Sequence, residues 1–236
     1  MLRITALLLL TLGSASVLAS PITFDTSLYT TSAFADVGGT ADGPYTDNTN
    51  TTPLPLITTA SVNQADGLAN ANAIADFGLL AASSEVLSAS ASSSASAIST
   101  FLGHFTTLGT GLSLELDYQD FVDAPGAASA ASQLFVLLQV DGVDLFSDSF
   151  MTSELIQLSF PTLAGLGGVL DLTLVSSGLD DTGDGAFNLA SASFALNSVP
   201  EPASLALLLG GLGLLGFSRS ARYGRADGSA NANANV

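Results

Sequence analysis

The middle of this sequence predicts a mainly β domain, an antiparallel β-sandwich of jelly-roll type, with an uncharged apolar stretch at each end of the chain. Three observations carry that prediction. Apolar and polar residues alternate one by one along several segments between Gly111 and Leu196, turn-forming pairs punctuate them, and helical periodicity is hard to find between the two ends. Single alternation gives an extended chain one dry and one wet face. Many short strands with few helices bury those dry faces by packing sheet on sheet. Residues 20–199 are long enough for one domain with its own core.

The chain opens "MLRITALLLLTLGSASVLAS". Arg3 is a short cationic start, Ile4 to Leu12 an apolar run, and Val17 and Ala19 the small residues of a cleavage site. Residues 1–19 therefore have the build of a secretory signal peptide. A buried N-terminal helix is the alternative, and the cationic start and small-residue exit count against it.

Residues 20–60 are expected to be loop-rich, with one strand followed by a long loop around Gly38-Gly39, Pro44, Pro53 and Pro55. Next come "ANANAIADFG" and "SASASSSASAIS", where alanine alternates with asparagine or serine. Alanine favours helix locally, and a low-complexity linker is the competing assignment. The even spacing of Ala89, Ala91, Ala95 and Ala97 instead fits paired strands whose inner face is small, so that another sheet can approach closely.

In "GLSLELDYQ", Leu112, Leu114, Leu116 and Tyr118 share one face while Ser113, Glu115, Asp117 and Gln119 share the other, a half-buried strand. "QLFVLLQVDGVDLFSDSF" places Asp141-Gly142 between two strands, and that pair tolerates the positive φ angles of a type I′ hairpin turn. Further strands are expected at Leu155–Phe160, Val169–Ser176 and Phe187–Leu196.

Charge excludes one class of partner. The chain has 236 residues, a net charge of −17, no cysteine and one histidine. No Lys or Arg lies between Ile4 and Ser218, so residues 20–199 carry −19, the 21 carboxylates less Glu201 and Asp227. Such a body repels phosphate backbones and anionic lipid surfaces, and nucleic acid is excluded. High net charge also keeps an exported protein soluble. Without cysteine there are no disulfides and no thiolate sites.

Catalytic chemistry finds little support. His104 is the only imidazole, and no serine lies in a nucleophile elbow. Zinc needs three or four nitrogen- or sulfur-rich ligands that this chain does not offer. Glu115 and Asp117 could serve glycoside hydrolysis, but carboxylates on one strand face are ordinarily its wet side. No catalytic residue or bound cofactor is expected. The one candidate metal site is "GLDDTGDGAFNL", where Asp180, Thr182, Asp184 and Asn188 present oxygens at alternate positions like the first half of a calcium loop. Ser191 stands where such loops need a bidentate glutamate, so a polar β-turn is the competing assignment.

The far end is a second address. Ala203 to Phe217 is an uncharged apolar run closed by Arg219, Arg222 and Arg225. As a helix, residues 203–217 would reach about 22 Å, short of a hydrocarbon core of roughly 30 Å, which makes a marginal transmembrane segment. Arginines after such a run stay on the cytoplasmic side. With the front end exported, the acidic middle then lies on the outer side of the membrane. Pro200 and Pro202 hold the chain extended before the run, and Ala206, Gly210 and Gly213 give the run one small face for close helix packing. Residues 226–236, "ADGSANANANV", are expected to form a disordered tail.

Val199-Pro200-Glu201-Pro202, the glycine-bearing apolar run and the arginine cluster resemble the PEP-CTERM sorting signal of exported bacterial proteins, over residues 200–225. The resemblance implies passage through the Sec translocon, a transient stay in the inner membrane and processing by an exosortase near Pro200-Glu201-Pro202. It also implies a Gram-negative producer of extracellular polysaccharide and a cell-surface or extracellular destination. The expected function is a non-enzymatic surface or matrix protein of the biofilm kind. The alternative is a calcium-assisted module that binds exopolysaccharide.

Overall fold

The structure, a computed structural model, describes residues 20–50 and 54–199, and every element among them is strand, turn or bend. The predicted signal peptide, transmembrane segment and tail lie outside the described residues. Among those described, no helix is long and apolar enough to cross a membrane.

The strands run β1 (Ser20–Pro21), β2 (Phe24–Val37), β3 (Thr40–Thr49), β4 (Leu56–Gln64), β5 (Gly67–Asp76), β6 (Leu79–Ser88) and β7 (Ser93–Thr106). They continue as β8 (Gly111–Asp123), β9 (Ser129–Val140), β10 (Val143–Phe150), β11 (Glu154–Pro161), β12 (Gly167–Asp180) and β13 (Ala186–Val199). The first sheet has the order β11-β8-β13-β6-β5-β4, with β1 added on β13. The second has the order β10-β9-β12-β7-β2-β3.

The pairing is nested. β9 pairs with β10, β8 with β11, β7 with β12 and β6 with β13, and successive pairs alternate between the sheets. One long hairpin rolled across two sheets in this way has the winding of a jelly roll. Its tip is the expected Asp141-Gly142 turn. There φ is 53° at Asp141 and 72° at Gly142, and Val140 faces Val143 across it, as a type I′ turn requires.

Residues 20–60 contain the expected strand, as β2, but a second strand takes the place of most of the expected long loop. β2 and β3 form a long hairpin turned at Gly38-Gly39, where both φ values are positive. Pro44 is accommodated because β3 is an edge strand and leaves one side without a ladder partner. The edge is also clamped. Asp42 of β3 accepts the Ser61 amide of β4 at 2.7 Å and the Tyr45 hydroxyl at 2.7 Å, which joins the open margins of the two sheets. Those two hydrogen bonds, the amide first, hold the Asp42 carboxyl below its ordinary pKa.

The alanine-rich stretches are strands, not a linker. Ala69, Ala71, Ala73 and Ala75 of β5 and Ala95 and Ala97 of β7 are buried, together with Ala33, Ala35, Ala60 and Ala82. Ala89 and Ala91 fall in the bend between β6 and β7 rather than on the strand face. The small inner face brings the sheets together, as the pattern implied. Cα atoms of β2 and β5, β5 and β7, and β6 and β7 approach within 8 Å across the gap, against a usual sheet spacing of about 10 Å. Short polar side chains bridge it: Thr31 to Thr58 at 2.6 Å, Ser84 to Ser176 at 3.0 Å, and Ser99 Oγ to the Ala81 carbonyl at 2.6 Å. On the other flank the core is filled by Leu112, Leu114 and Leu116 of β8, Leu134 and Leu138 of β9, and Leu170, Leu172 and Leu174 of β12. The sandwich is thus a wedge, thin where alanine faces alanine and thick where leucine faces leucine. Residues Ser20–Ser198 make one compact unit.

Candidate functional site

The first place to look is where the chain enters and leaves the sandwich. β6 covers β13 only from Ala186 to Ser193. Beyond it, the Phe194 amide bonds the Gly78 carbonyl at 2.8 Å and the Leu196 carbonyl accepts from Ile22 at 2.9 Å. Ser198 and Asn197 then pair with Ser20 and Pro21 of β1. Ser20, the residue after the expected cleavage site, therefore faces Ser198, two residues before Pro200. Entry and exit are adjacent strands.

An apolar cavity of about 300 Å³ opens at this end, lined by Ile22, Phe24, Tyr29, Phe77, Phe101 and Phe194 among others. Phe24 meets Phe101 edge-on at 5.0 Å between ring centroids, and Phe101 meets Phe194 at 4.7 Å. Such a wall can hold apolar or ring-shaped surface, and Tyr29, whose pKa is raised by burial, is its one titratable side chain.

The candidate calcium loop joins β12 to β13 at the opposite end. Asp180 has no exposed surface. Its Oδ2 accepts the amides of Ser88 at 2.7 Å and Gly185 at 3.0 Å, and its Oδ1 those of Thr182 at 2.9 Å and Gly183 at 3.1 Å. The Thr182 hydroxyl adds a bond to Asp180 Oδ1 at 3.1 Å and contacts Asp184 Oδ2 at 2.9 Å. Burial by itself would raise the Asp180 pKa, but the bonds from Ser88, Thr182 and Gly185 outweigh it and hold the carboxyl far below the ordinary range. Asn188 lies buried in β13, where its Oδ1 accepts from Ser176 at 2.9 Å. The Asp180 oxygens are thus turned to protein donors, and a calcium ion could take them only by displacing those bonds.

His104 is exposed on β7, and Glu115 and Asp117 lie on the outer face of β8, where Gln119 bonds Asp117. Among the described residues, no three His, Asp or Glu side chains converge on a common metal position. Of the expected sorting residues, Val199 ends β13. Pro200, Glu201, Pro202, Arg219, Arg222 and Arg225 lie outside the described residues.

Two groupings were not singled out from the sequence. Buried Tyr118 bonds Ser132 at 2.6 Å, and Ser132 donates to Asp120, so that β8 and β9 are tied through side chains. Burial, aided by Asp120 and opposed by the Ser132 bond, raises the Tyr118 pKa. The second lies on the outer face of the first sheet. Ser61 donates to Asn70 at 2.6 Å and Asn70 to Glu85 at 3.0 Å, and Phe187 stands opposite Glu85 beside Phe121. Ser61, Asn70, Glu85 and Phe187 line a depression of about 300 Å³. No signal local in sequence marks either group, because their members come from different strands.

The fold and its paired ends define an all-β, two-sheet antiparallel domain that hands its chain straight on to a C-terminal segment. That segment is a PEP-CTERM protein-sorting motif, whose family model matches residues 198–222. The match begins inside β13, at buried Ser198, and stops before Arg225. The rest of the chain is assigned to no family, and no curated protein matches it. Solved structures with some likeness include the α-xylosidase Xac1773 from Xanthomonas citri (7% identity, 58% of this chain, TM-score 0.22) and TmCBM61 in complex with β-1,4-galactotriose (7%, 59%, 0.22). A tailspike protein domain of bacteriophage CBA120 is a third (10%, 71% of this chain, TM-score 0.23). The chain spans 27%, 86% and 19% of those three chains respectively.

Proposed function

We propose that this chain is an exported, non-enzymatic surface or matrix protein, carried through the Sec translocon, held briefly in the inner membrane and released or transferred by exosortase near Pro200-Glu201-Pro202. One observation carries the reading: the sorting motif at residues 198–222 continues directly from the last strand of a folded, strongly acidic domain. The placement of His104 on the second sheet, apart from Glu115 and Asp117 on the first, supports a role without catalysis. Fractionation of producing cells with intact-mass measurement tests it. The expected result is an extracellular form beginning near Ser20 and ending near Pro200. A product that stays in the membrane with residues 203–225 attached would replace the sorting reading with a plain anchor.

The row Ser61–Asn70–Glu85 ending at Phe187 favours a second reading, binding of exopolysaccharide. An aromatic face suits the C–H surface of a sugar ring, while amide and carboxylate groups suit its hydroxyls. Retention on purified exopolysaccharide, with calcium and with chelator, is the measurement. The second reading expects retention that Phe187→Ala weakens, and the calcium arm decides whether the Asp180 loop contributes. No retention in either condition would remove the second reading.

A further inference from the structure

The strand pairings divide the loops between two ends of the sandwich. One end gathers residues 22–23, 77–78, 107–110, 141–142 and 162–166 with the close of β13. The pairs Thr106–Gly167, Val140–Gly168 and Gly111–Pro161 place those loops together, as do the Phe194–Gly78 and Thr162–Thr110 backbone bonds. The other end gathers the turns at residues 38–39, 65–66, 89–92, 124–128, 151–153 and 181–185.

The two ends differ in chemistry. The end that releases the sorting motif carries Phe77, 73% exposed, Leu108, 63%, and Leu163, 67%, at its loop tips, with Val143, 61%, just after its turn. Among the described residues its loops hold one carboxylate, Asp141, with Asp76 and Asp144 on strand residues beside its turns and Asp25 near the start of β2. The far loops carry Asp66, Asp181 and Asp184, and their one large exposed apolar residue is Met151. Leu87, Phe121, Val122, Leu155, Leu179 and Phe187 are also exposed toward that far end, but they sit on strands rather than at loop tips.

Connectivity says what covers the apolar end. Only Pro200, Glu201 and Pro202 separate the end of β13 at Val199 from the apolar run that starts at Ala203. Four Cα steps reach about 14 Å at full extension. A precursor held by residues 203–217 has no length of linker with which to stand off from the bilayer. We propose that in the membrane-held precursor this end of the sandwich rests on the lipid surface, with Phe77, Leu108 and Leu163 in the headgroup layer.

Attachment is apolar, because the domain contains no Lys or Arg to attract anionic headgroups. The far carboxylates point away from the same negative surface. The inference rests on insertion of residues 203–217, and its test separates the two.

Because the chain has no cysteine, single replacements report one position each. The full chain is reconstituted in phosphatidylcholine vesicles containing doxyl lipids labelled near the headgroup, to report residues 108 and 163, and at mid-chain, to report residue 209. An environment-sensitive fluorophore is placed singly at Leu108→Cys, Leu163→Cys, Asp66→Cys, Asp181→Cys or Leu209→Cys. Expected is loss of emission at 108, 163 and 209, with emission kept at 66 and 181. Emission kept at 108 and 163 while 209 is quenched would overturn lipid docking and leave the anchor standing. That is also the result if a membrane protein, not lipid, covers this end. Emission kept at 209 would remove the anchor and the docking together. Equal quenching at 66, 181, 108 and 163 would mean a domain lying without preferred orientation, and would equally overturn the proposal.

Discussion

Asp180→Ala is expected to lower the unfolding free energy by about 2–3 kcal/mol, measured by urea denaturation of the protein. The carboxylate accepts amides from Ser88, Thr182, Gly183 and Gly185 and the Thr182 hydroxyl, and alanine would leave all of them without an acceptor. Each bond to a charged acceptor is worth more than a neutral one. The total stays in the lower range because Asp180 sits at the end of the sandwich, where water can reach some of the freed donors. The loss is also structural, since Ser88 closes β6 and Asp180 closes β12, so one side chain ties the two sheets at that end.

The same carboxylate sets an acid dependence. Its folded-state pKa lies below the unfolded value of about 3.9. The unfolded chain therefore binds the proton first, and stability falls as pH drops below that value toward the depressed folded-state one. At neutral pH the contribution is fully present. Asp180→Asn should show a shallower acid limb than the native chain between about pH 4 and pH 2. An unchanged limb would mean that other carboxylates dominate.

Ala97→Leu should cost about 3 kcal/mol and lower the melting temperature by roughly 6–12 °C. Ala97 is fully buried on β7, beside Ala33 of β2 and Ser176 of β12, in the flank where the sheets come within 8 Å. Three added carbons have no void to enter, so the sheets must part. Parting would stretch the bridges from Ser99 to Ala81 and from Ser84 to Ser176. On the thick flank a volume-conserving Leu138→Met should cost under about 1.5 kcal/mol. Equal effects at both positions would show that the wedge does not constrain packing.

The sequence exposes most of the later strands because the information there is local. Leu112, Leu114 and Leu116 alternate with polar residues, and Asp141-Gly142 specifies its own turn. β2 was expected only as one unplaced strand, and β3 as loop, because the contrast there is weak and partly inverted. Thr31 faces the core with Ala33 and Ala35, while Phe34 lies on the outer face. Small buried residues do not stand out until their partner sheet is present.

The candidate loop was visible as a polar turn, yet the Asp180 role was not, because Ser88 is 92 positions away. The Tyr118–Ser132–Asp120 link and the Ser61–Asn70–Glu85 row were invisible for the same reason. Each is assembled by strand pairing rather than by spacing along the chain. The sorting motif, by contrast, is contiguous and was legible in full.

The place of β13 has a consequence for the order of events. It lies inside the first sheet between β6 and β8, so neither neighbour can be completed before it arrives. Under the proposed export, amino end first, its residues are the final ones threaded outward ahead of the sorting motif. A chain delivered amino end first must therefore wait, unfinished, until the motif itself reaches the membrane. Completion of the domain and arrival of its delivery tag become nearly one event, which gives a processing enzyme a finished cargo at the moment it has something to cut.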